Sequence, residues 1–269
     1  MRLAVSSIAW TPLEEPAAAD LLAAQGVPGV ELVPGRLTPG SPLDATPAQL
    51  SAVRAFWQAR GVGIVAMQAL LFGHPELRVF DASRPRTLEH LRAVIRVGGA
   101  LGAGALVFGA PRNRERGALP PDQAWAIAVD FFGALGEEAV AAGTCLCIEP
   151  NPVQYGADFC TDSAQALALV RAVASPGFGL HLDSACALLA SEDFPARIAA
   201  SAPELRHLHL SEPQLAPVAP GGTADLRSIG RALRAIQYTR FVSIEMKASP
   251  EGGNLARLEQ ALRHVRQEL

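Results

Sequence analysis

The chain has 269 residues, 49% hydrophobic and 18% charged, which is enough apolar surface for a large core and excludes an intrinsically disordered chain. A net charge of −3 without a basic block excludes nucleic-acid binding driven by bulk charge, and four cysteines without a CxxC pair exclude a disulfide framework. We expect a cytoplasmic protein that does not enter the membrane. Its first residues lack a signal peptide's apolar segment, and no apolar run reaches the roughly 18 residues of a membrane span.

Short apolar runs that end in polar or Pro/Gly residues alternate with amphipathic stretches along the chain. The predicted strands lie near 2–10, 29–33, 62–70, 105–110, 145–149, 178–184, 205–211 and 241–247. The predicted helices lie near 14–25, 47–60, 84–101, 121–142, 162–174, 193–201, 224–237 and 254–268. Thr46-Pro47 and Pro120-Pro121-Asp122 are typical helix starts, which supports these boundaries.

Eight βα units in 269 residues correspond to about 34 residues per unit. Eight parallel strands joined by right-handed helical crossovers close into a barrel. The alternative is an open doubly wound sheet, which needs a glycine-rich phosphate loop after the first strand. This chain has AWTPLEEP there instead. The sequence therefore predicts an α/β fold, a single-domain (β/α)8 TIM barrel over residues 1–269.

Four predicted strands in a row carry a polar residue of metal-ligand type at their carboxyl ends: Glu149, Asp183, His209 and Glu245. In a barrel these ends form the mouth where active sites lie. Side chains alternate along a strand, so Cys145, Cys147 and Glu149 share the inward face while Leu146 and Ile148 face the helices. We expect all four ligand-type residues to meet inside the mouth.

Three carboxylates converging inside a barrel need a counter-charge, because they repel one another and lose solvation. Carboxylate oxygens with one imidazole nitrogen suit Mn²⁺, Mg²⁺ or Co²⁺, with Zn²⁺ as an alternative. The sequence therefore predicts one divalent metal ion, manganese first, held by Glu149, Asp183, His209 and Glu245. The competing interpretation is a set of polar groups paired with arginines.

Several stretches resemble the xylose isomerase-like barrel superfamily and its sugar phosphate isomerase/epimerase branch. They are IEPNP (148–152), LHLDS (180–184), HLHLSEP (207–213), VSIEMK (242–247), FGAPRNR (108–114) and LLFGHPEL (70–77). The resemblance covers nearly the whole chain. It implies that the four strand-end residues match the Glu, Asp, His and Glu metal ligands of the ketose epimerases.

The chain departs from the ketose 3-epimerases at three substrate-holding positions. Tyr155 stands where those enzymes have a glutamate, Cys186 where they have a histidine, and Leu215 where they have an arginine. The resemblance therefore implies the metal site more strongly than it implies a free ketose as the substrate.

A bound metal can chelate the carbonyl and hydroxyl oxygens of an α-hydroxy carbonyl compound and stabilise the enediolate. Glu149 and Glu245 are then the candidate bases that move the proton. The first hypothesis is an isomerase or epimerase of a sugar or related small polyhydroxy carbonyl compound. The alternatives are a lyase such as an inosose-type dehydratase, which uses the same first step, and a non-catalytic barrel or partner subunit. A homodimer is open as well.

Further candidates lie near the predicted mouth. Lys247, the only lysine among 23 basic residues, shares the inward face with Glu245 and is a candidate for proton donation or for holding a carboxylate. The candidate substrate contacts are His74, Arg112, Arg114, Glu31, Glu212 and Trp10. His181 and His207 lie one layer below the ligands, and we interpret them as supporting histidines.

Overall fold

Eight parallel strands form a closed barrel in the order β1 to β8, so the predicted fold is confirmed. The computed structural model describes residues 1–37 and 44–269. The strands are β1 Arg2–Ser6, β2 Gly29–Leu32, β3 Gly63–Met67, β4 Ala105–Phe108, β5 Leu146–Ile148, β6 Phe178–Asp183, β7 Leu205–Ser211 and β8 Phe241–Glu245. The first strand is shorter than the predicted 2–10, because Ser7–Ala9 turns into a 3-10 helix whose entry is capped by Ser6.

Helices surround the barrel and follow the strands in sequence. They are α1 Glu15–Ala24, α2 Pro47–Gln58, α3 Arg84–Leu101, α4 Pro121–Ala141, α5 Ser163–Val173, α6 Ser184–Leu189, α7 Phe194–Ala200, α8 Leu226–Ala235 and α9 Asn254–Glu268. Thr46 and Gln49 form a capping box at the start of α2, as the Thr-Pro signal predicts. Within the described ranges, no helix is both long enough and apolar enough to cross a bilayer.

The six-residue helix α6 was not predicted from the sequence. It starts directly after β6, and its N-cap is Asp183, whose side chain accepts the backbone N–H of Cys186. A helix this short has too few turns to show an apolar period. The consequence is that the carboxylate of Asp183 is fixed by backbone at the barrel mouth.

The apolar core lies mainly between the barrel and the helices, where Phe132 and Phe178 stack with ring centroids 4.9 Å apart. Inside the barrel, a small buried cluster of Ala66, Ala105, Cys145 and Cys147 fills part of the interior. These cysteines are small filling residues, as expected. Beyond them toward the carboxyl ends of the strands, the interior becomes polar, and that polar layer positions the site.

Candidate metal centre

Four side chains from the ends of β5 to β8 converge inside the barrel mouth. His209 Nδ1 lies 3.3 Å from Glu245 Oε2, 3.9 Å from Asp183 Oδ2 and 4.0 Å from Glu149 Oε1. Asp183 and His209 are direct partners across β6 and β7, which brings them to one height. The strand-end residues singled out from the sequence thus lie together around one imidazole nitrogen.

The chemistry of this cluster fits a divalent cation. His209 Nδ1 is buried and has no hydrogen-bond partner among the described residues, although three carboxylates surround it. Ligand atoms of Asp183, His209 and Glu245 lie within 4.8 Å of one another, as do those of Glu149, His181 and His209. Several buried carboxylates that lie close together are costly unless a positive charge lies between them. Oxygen and imidazole ligands together suit Mn²⁺, Mg²⁺, Co²⁺ or Zn²⁺.

The buried carboxylate of Glu31, on β2, orients the imidazole of His209. Glu31 Oε2 lies 3.0 Å from His209 Nε2 and 3.2 Å from His207 Nε2, and His207 Nε2 lies 2.9 Å from Ser243 Oγ. Glu31 is fully buried. Because Glu31 takes the Nε2 side of His209, the Nδ1 side is directed at the three carboxylates. Carboxylates commonly orient metal-ligating histidines in this way.

The two glutamates of the cluster are each held by an amide. Asn151 Nδ2 donates to Glu149 Oε2 at 2.8 Å, and Gln68 Nε2 donates to Glu245 Oε1 at 2.6 Å. In each case the other oxygen is the one that lies nearest His209 Nδ1. Each glutamate therefore has one oxygen anchored by protein and one oxygen directed at the centre of the cluster.

Asp183 is held differently, by one donor on each of its oxygens. The backbone N–H of Cys186 donates to Oδ1 at 2.7 Å, and the hydroxyl of Ser211 donates to Oδ2 at 2.5 Å. Ser211 lies two residues after His209 on the inward face of β7. These contacts fix the Asp183 carboxylate at the entrance of α6.

Burial and crowding set the charges of the cluster. Burial, with Glu245 and Glu149 nearby, raises the pKa of Asp183 to about 7. Burial opposes protonation of His209, but the carboxylates of Glu31 and Glu245 outweigh it and raise the pKa of that histidine well above its usual range. Without metal the cluster therefore retains protons at neutral pH, and a cation that binds must displace them.

His181 lies at the edge of the same cluster, with Nε2 3.4 Å from Glu149 Oε1. Burial and the neighbouring His209 and His207 lower the pKa of His181 well below its usual value, so the ring is neutral. Both of its nitrogens are buried without a hydrogen-bond partner in the described part of the chain. The ring of His181 packs against the ring of His209, with the two centroids 4.1 Å apart.

The sequence matches the profile of the xylose isomerase-like TIM barrel family over residues 19–268. The chain belongs to this family. No curated protein matches the sequence. Similarity to solved structures extends over the whole barrel at low sequence identity, and it shows a shared fold.

Three solved sugar epimerases illustrate this similarity. A D-psicose 3-epimerase from Clostridium cellulolyticum H10, in complex with D-tagatose, is 15% identical with a TM-score of 0.80, covering 100% of this chain and 99% of its own. An L-ribulose 3-epimerase is 20% identical with a TM-score of 0.79, covering 100% and 94%. A 3-keto-D-glucoside 4-epimerase from E. coli is 16% identical with a TM-score of 0.80, covering 99% of each chain.

In this xylose isomerase-like barrel, the carboxylate cluster opens into a pocket of about 370 Å³. The three residues that differ from the ketose 3-epimerase pattern, Tyr155, Cys186 and Leu215, all line it. Lys247 lines it too and is exposed, and its backbone N–H donates to the carbonyl of Leu215 at 3.0 Å. The pocket wall therefore carries the three side chains that depart from the ketose 3-epimerase pattern, and Glu149, Asp183 and Glu245 line the same pocket.

Four residues expected to contact substrate lie elsewhere. Glu31 is beneath His209. Trp10 is fully buried and donates from Nε1 to Glu15 at 2.8 Å. Glu212 accepts the backbone N–H groups of Thr223 and Ala224, so it anchors a loop.

Arg114 is the fourth and the largest departure. It is fully buried, and its guanidinium donates to Glu149 O at 2.7 Å, Asn151 Oδ1 at 3.0 Å and Phe159 O at 3.1 Å, and also to the carbonyls of Phe108, Gly109 and Cys160. Arg114 therefore links the ends of β4 and β5 through their backbone carbonyls and fixes the backbone of Glu149. The left-handed backbone at Ala110 precedes the short 3-10 helix that carries it.

His74 and Arg112 are accessible but lie at the periphery. His74 Nδ1 is 3.2 Å from Glu76 Oε1 and lines a separate pocket with Arg36 and Phe72. Arg112 is exposed beside Gly156 and follows Pro111, which lines the pocket above the carboxylate cluster.

Sequence reasoning missed the residues that hold the carboxylates, namely Asn151, Gln68 and Ser211. A signal was present for each. Asn151 follows Glu149 by two residues, Ser211 follows His209 by two, and Gln68 has the parity of the inward-facing Ala66. Hydrogen-bonding side chains at such positions next to ligand-type residues are candidates for orienting them.

Proposed function

We propose that this protein is a metal-dependent isomerase or epimerase of a sugar or a related polyhydroxy carbonyl compound. The observation that carries the proposal is the buried Nδ1 of His209, which makes no hydrogen bond within the described residues and faces Glu149, Asp183 and Glu245. The named activities of the structural neighbours, which are sugar epimerases, support the same reaction class.

Glu149, Asp183, His209 and Glu245 would hold the cation, with manganese as our first choice. When bound, the cation supplies Lewis-acid polarisation of a carbonyl group and charge neutralisation. Glu31 keeps the Nδ1 side of His209 available, while Ser211 and the N–H of Cys186 hold Asp183 in place. The ligand set is thus supported before any ion binds.

Glu149 and Glu245 are the proposed bases. They stand on β5 and β8, with two strands between them, so they approach the pocket from different sides. One glutamate can take the proton from the carbon next to the carbonyl, and the other can return a proton at the other face or at the neighbouring carbon. Asn151 and Gln68 limit the rotation of the two carboxylates, which keeps their geometry constant between the two steps.

Lys247 is the proposed substrate contact on the wall of this pocket, and Arg112 and His74 are proposed as outer contacts. Glu31, Arg114, Trp10 and Glu212 act in this proposal as supporting residues, because each uses its polar groups on the protein itself.

The test is exchange of carbon-bound hydrogen in deuterated water, measured by mass spectrometry with ketoses, keto acids and inososes in the presence of Mn²⁺. We expect hydrogen exchange with one of these three classes of compound. Glu149→Gln should abolish that exchange while the protein still unfolds in a cooperative transition. Glu138→Gln, on the surface of α4, is the matched control and should exchange like wild type. Unchanged exchange in Glu149→Gln would refute the acid/base assignment, and a new ultraviolet-absorbing product would indicate a lyase.

A further inference from the structure

The pocket has a second polar feature on its wall, at the turn after β7. The turn after β7 carries two consecutive residues in the left-handed region, Gln214 with φ 62° and Leu215 with φ 58°. A non-glycine residue with this backbone conformation is strained, and it persists only where the surroundings hold it. Both residues line the pocket, so the strained backbone lies at the site itself.

Two groups hold this turn from either side. Gln214 N–H donates to the hydroxyl oxygen of Tyr155 at 3.2 Å, and Leu215 O accepts the backbone N–H of Lys247 at 3.0 Å. Tyr155 and Lys247 come from the loops after β5 and β8 and bind adjacent residues of one turn. The turn therefore brings the phenol and the lysine to the same stretch of pocket wall.

The hydrogen bonding of Tyr155 determines what it can offer a ligand. Its oxygen already accepts from the backbone, and no acceptor in the described ranges takes its own proton. Burial, together with nearby Cys186, Asp183 and Glu245, raises the pKa of Tyr155, so the hydroxyl keeps that proton. Tyr155 is therefore a donor toward the pocket.

Lys247 is a second donor on this wall. Within residues 1–37 and 44–269 its ammonium makes neither an ion pair nor a hydrogen bond, and it is the one cationic side chain lining this pocket. Three carboxylates with a dication leave the pocket floor with a net negative charge of one. An anionic ligand is repelled by that floor unless a cation faces its charged end.

We infer that Tyr155 and Lys247 form a subsite for a carboxylate, so that the substrate is a hydroxylated carbonyl compound with an acid group at the end remote from the metal. This inference rests on the proposed function. Two donors of this kind match the two oxygens of a carboxylate. Phosphate sites commonly use backbone N–H groups, and the N–H of Gln214 is already taken by Tyr155.

The test compares ligands that differ only at this end. Fructuronate and tagaturonate carry a carboxylate where fructose and tagatose carry a hydroxymethyl group. Binding is measured by calorimetry to the Mn²⁺-supplemented protein, and hydrogen exchange is measured in parallel. We expect the acids to bind about 10- to 100-fold more tightly than the neutral ketoses. Lys247→Met should remove that advantage, whereas Lys247→Arg should keep most of it.

Tyr155→Phe should weaken the acids about tenfold, and Tyr238→Phe is the matched control, since Tyr238 is the other tyrosine and its hydroxyl donates to buried carbonyls. The inference is overturned if acids have no advantage, if the advantage survives in Lys247→Met, or if fructose 6-phosphate binds best. An acid preference that depends on Lys247 without hydrogen exchange supports the subsite and refutes the proposed function. Hydrogen exchange of neutral ketoses without a preference for the acids supports the proposed function and refutes the subsite.

Discussion

Replacing Glu31 with glutamine tests whether a residue that does not line the carboxylate pocket controls metal binding through His209. Glu31 is fully buried, and its Oε2 lies 3.0 Å from His209 Nε2 and 3.2 Å from His207 Nε2. Glutamine has nearly the same shape but loses the charge. The imidazole then loses its charge-assisted partner, and its Nδ1 becomes a weaker and less well oriented ligand.

We expect Glu31→Gln to weaken Mn²⁺ binding by about 10- to 100-fold, which is about 1.4–2.7 kcal/mol. Calorimetry gives the affinity, and NMR of the ¹⁵N-labelled imidazole reports which nitrogen carries the proton. In the metal-free variant the pKa of His209 should fall, since Glu31 is the carboxylate that raises it most.

The matched control is Ser243→Ala, which removes the second partner of His207 at 2.9 Å and leaves the contact between Glu31 and His209 in place. We expect its metal affinity to stay close to that of wild type. A Glu31→Gln protein that binds Mn²⁺ as tightly as wild type would refute the orienting role of this carboxylate.

Three further predictions address other parts of the site. Metal uptake should weaken as the pH falls below 7, by about tenfold per pH unit for each proton displaced, because Asp183, with its pKa raised to about 7, must ionise and His209, with its raised pKa, must lose its proton. Calorimetry in two buffers measures the protons released, and pH-independent uptake contradicts the prediction. Arg114→Met should destabilise the fold by about 3–5 kcal/mol and lower the melting temperature by roughly 10 °C, because buried carbonyls lose their donor, whereas Arg96→Met on the surface should have little effect. Gly109→Ala should reduce the rate of hydrogen exchange by roughly 100-fold at an unchanged melting temperature, because the added methyl group meets Glu149 Oε2. Gly104→Ala is the control and should react like wild type, because its added methyl group lies 3.8 Å from the nearest atom.

The barrel and the inward direction of the four strand-end residues follow from local sequence rules. Alternation along β5 to β8 gives each strand-end residue its inward face, and the parallel strands bring their carboxyl ends to the same mouth of the barrel. The exact pairing of Asp183 with His209 lies beyond a register shift between Leu180 and His181, which these rules do not predict. The face on which a strand residue lies is predictable, because successive side chains of a strand point alternately to its two faces.

Residues outside the strands could not be placed by the same rules. Arg114 lies after a left-handed residue, Ala110, and this turn directs the guanidinium inward toward carbonyl groups. The sequence predicts Glu31 as a substrate contact, but β2 and β3 shift register between Val30 and Glu31, and the carboxylate contacts His209 instead. Register shifts and single left-handed residues depend on tertiary packing and leave no periodic signal.

The most direct test of the metal centre is elemental analysis of the protein purified without chelator, beside an Asp183→Ala/His209→Ala control. We predict about one equivalent of Mn, Mg, Co or Zn in the wild type, either as purified or after addition of Mn²⁺, and none in the control. A wild-type protein that takes up no metal even with added Mn²⁺ would contradict the account. The four strand-end residues would then be a structural polar cluster.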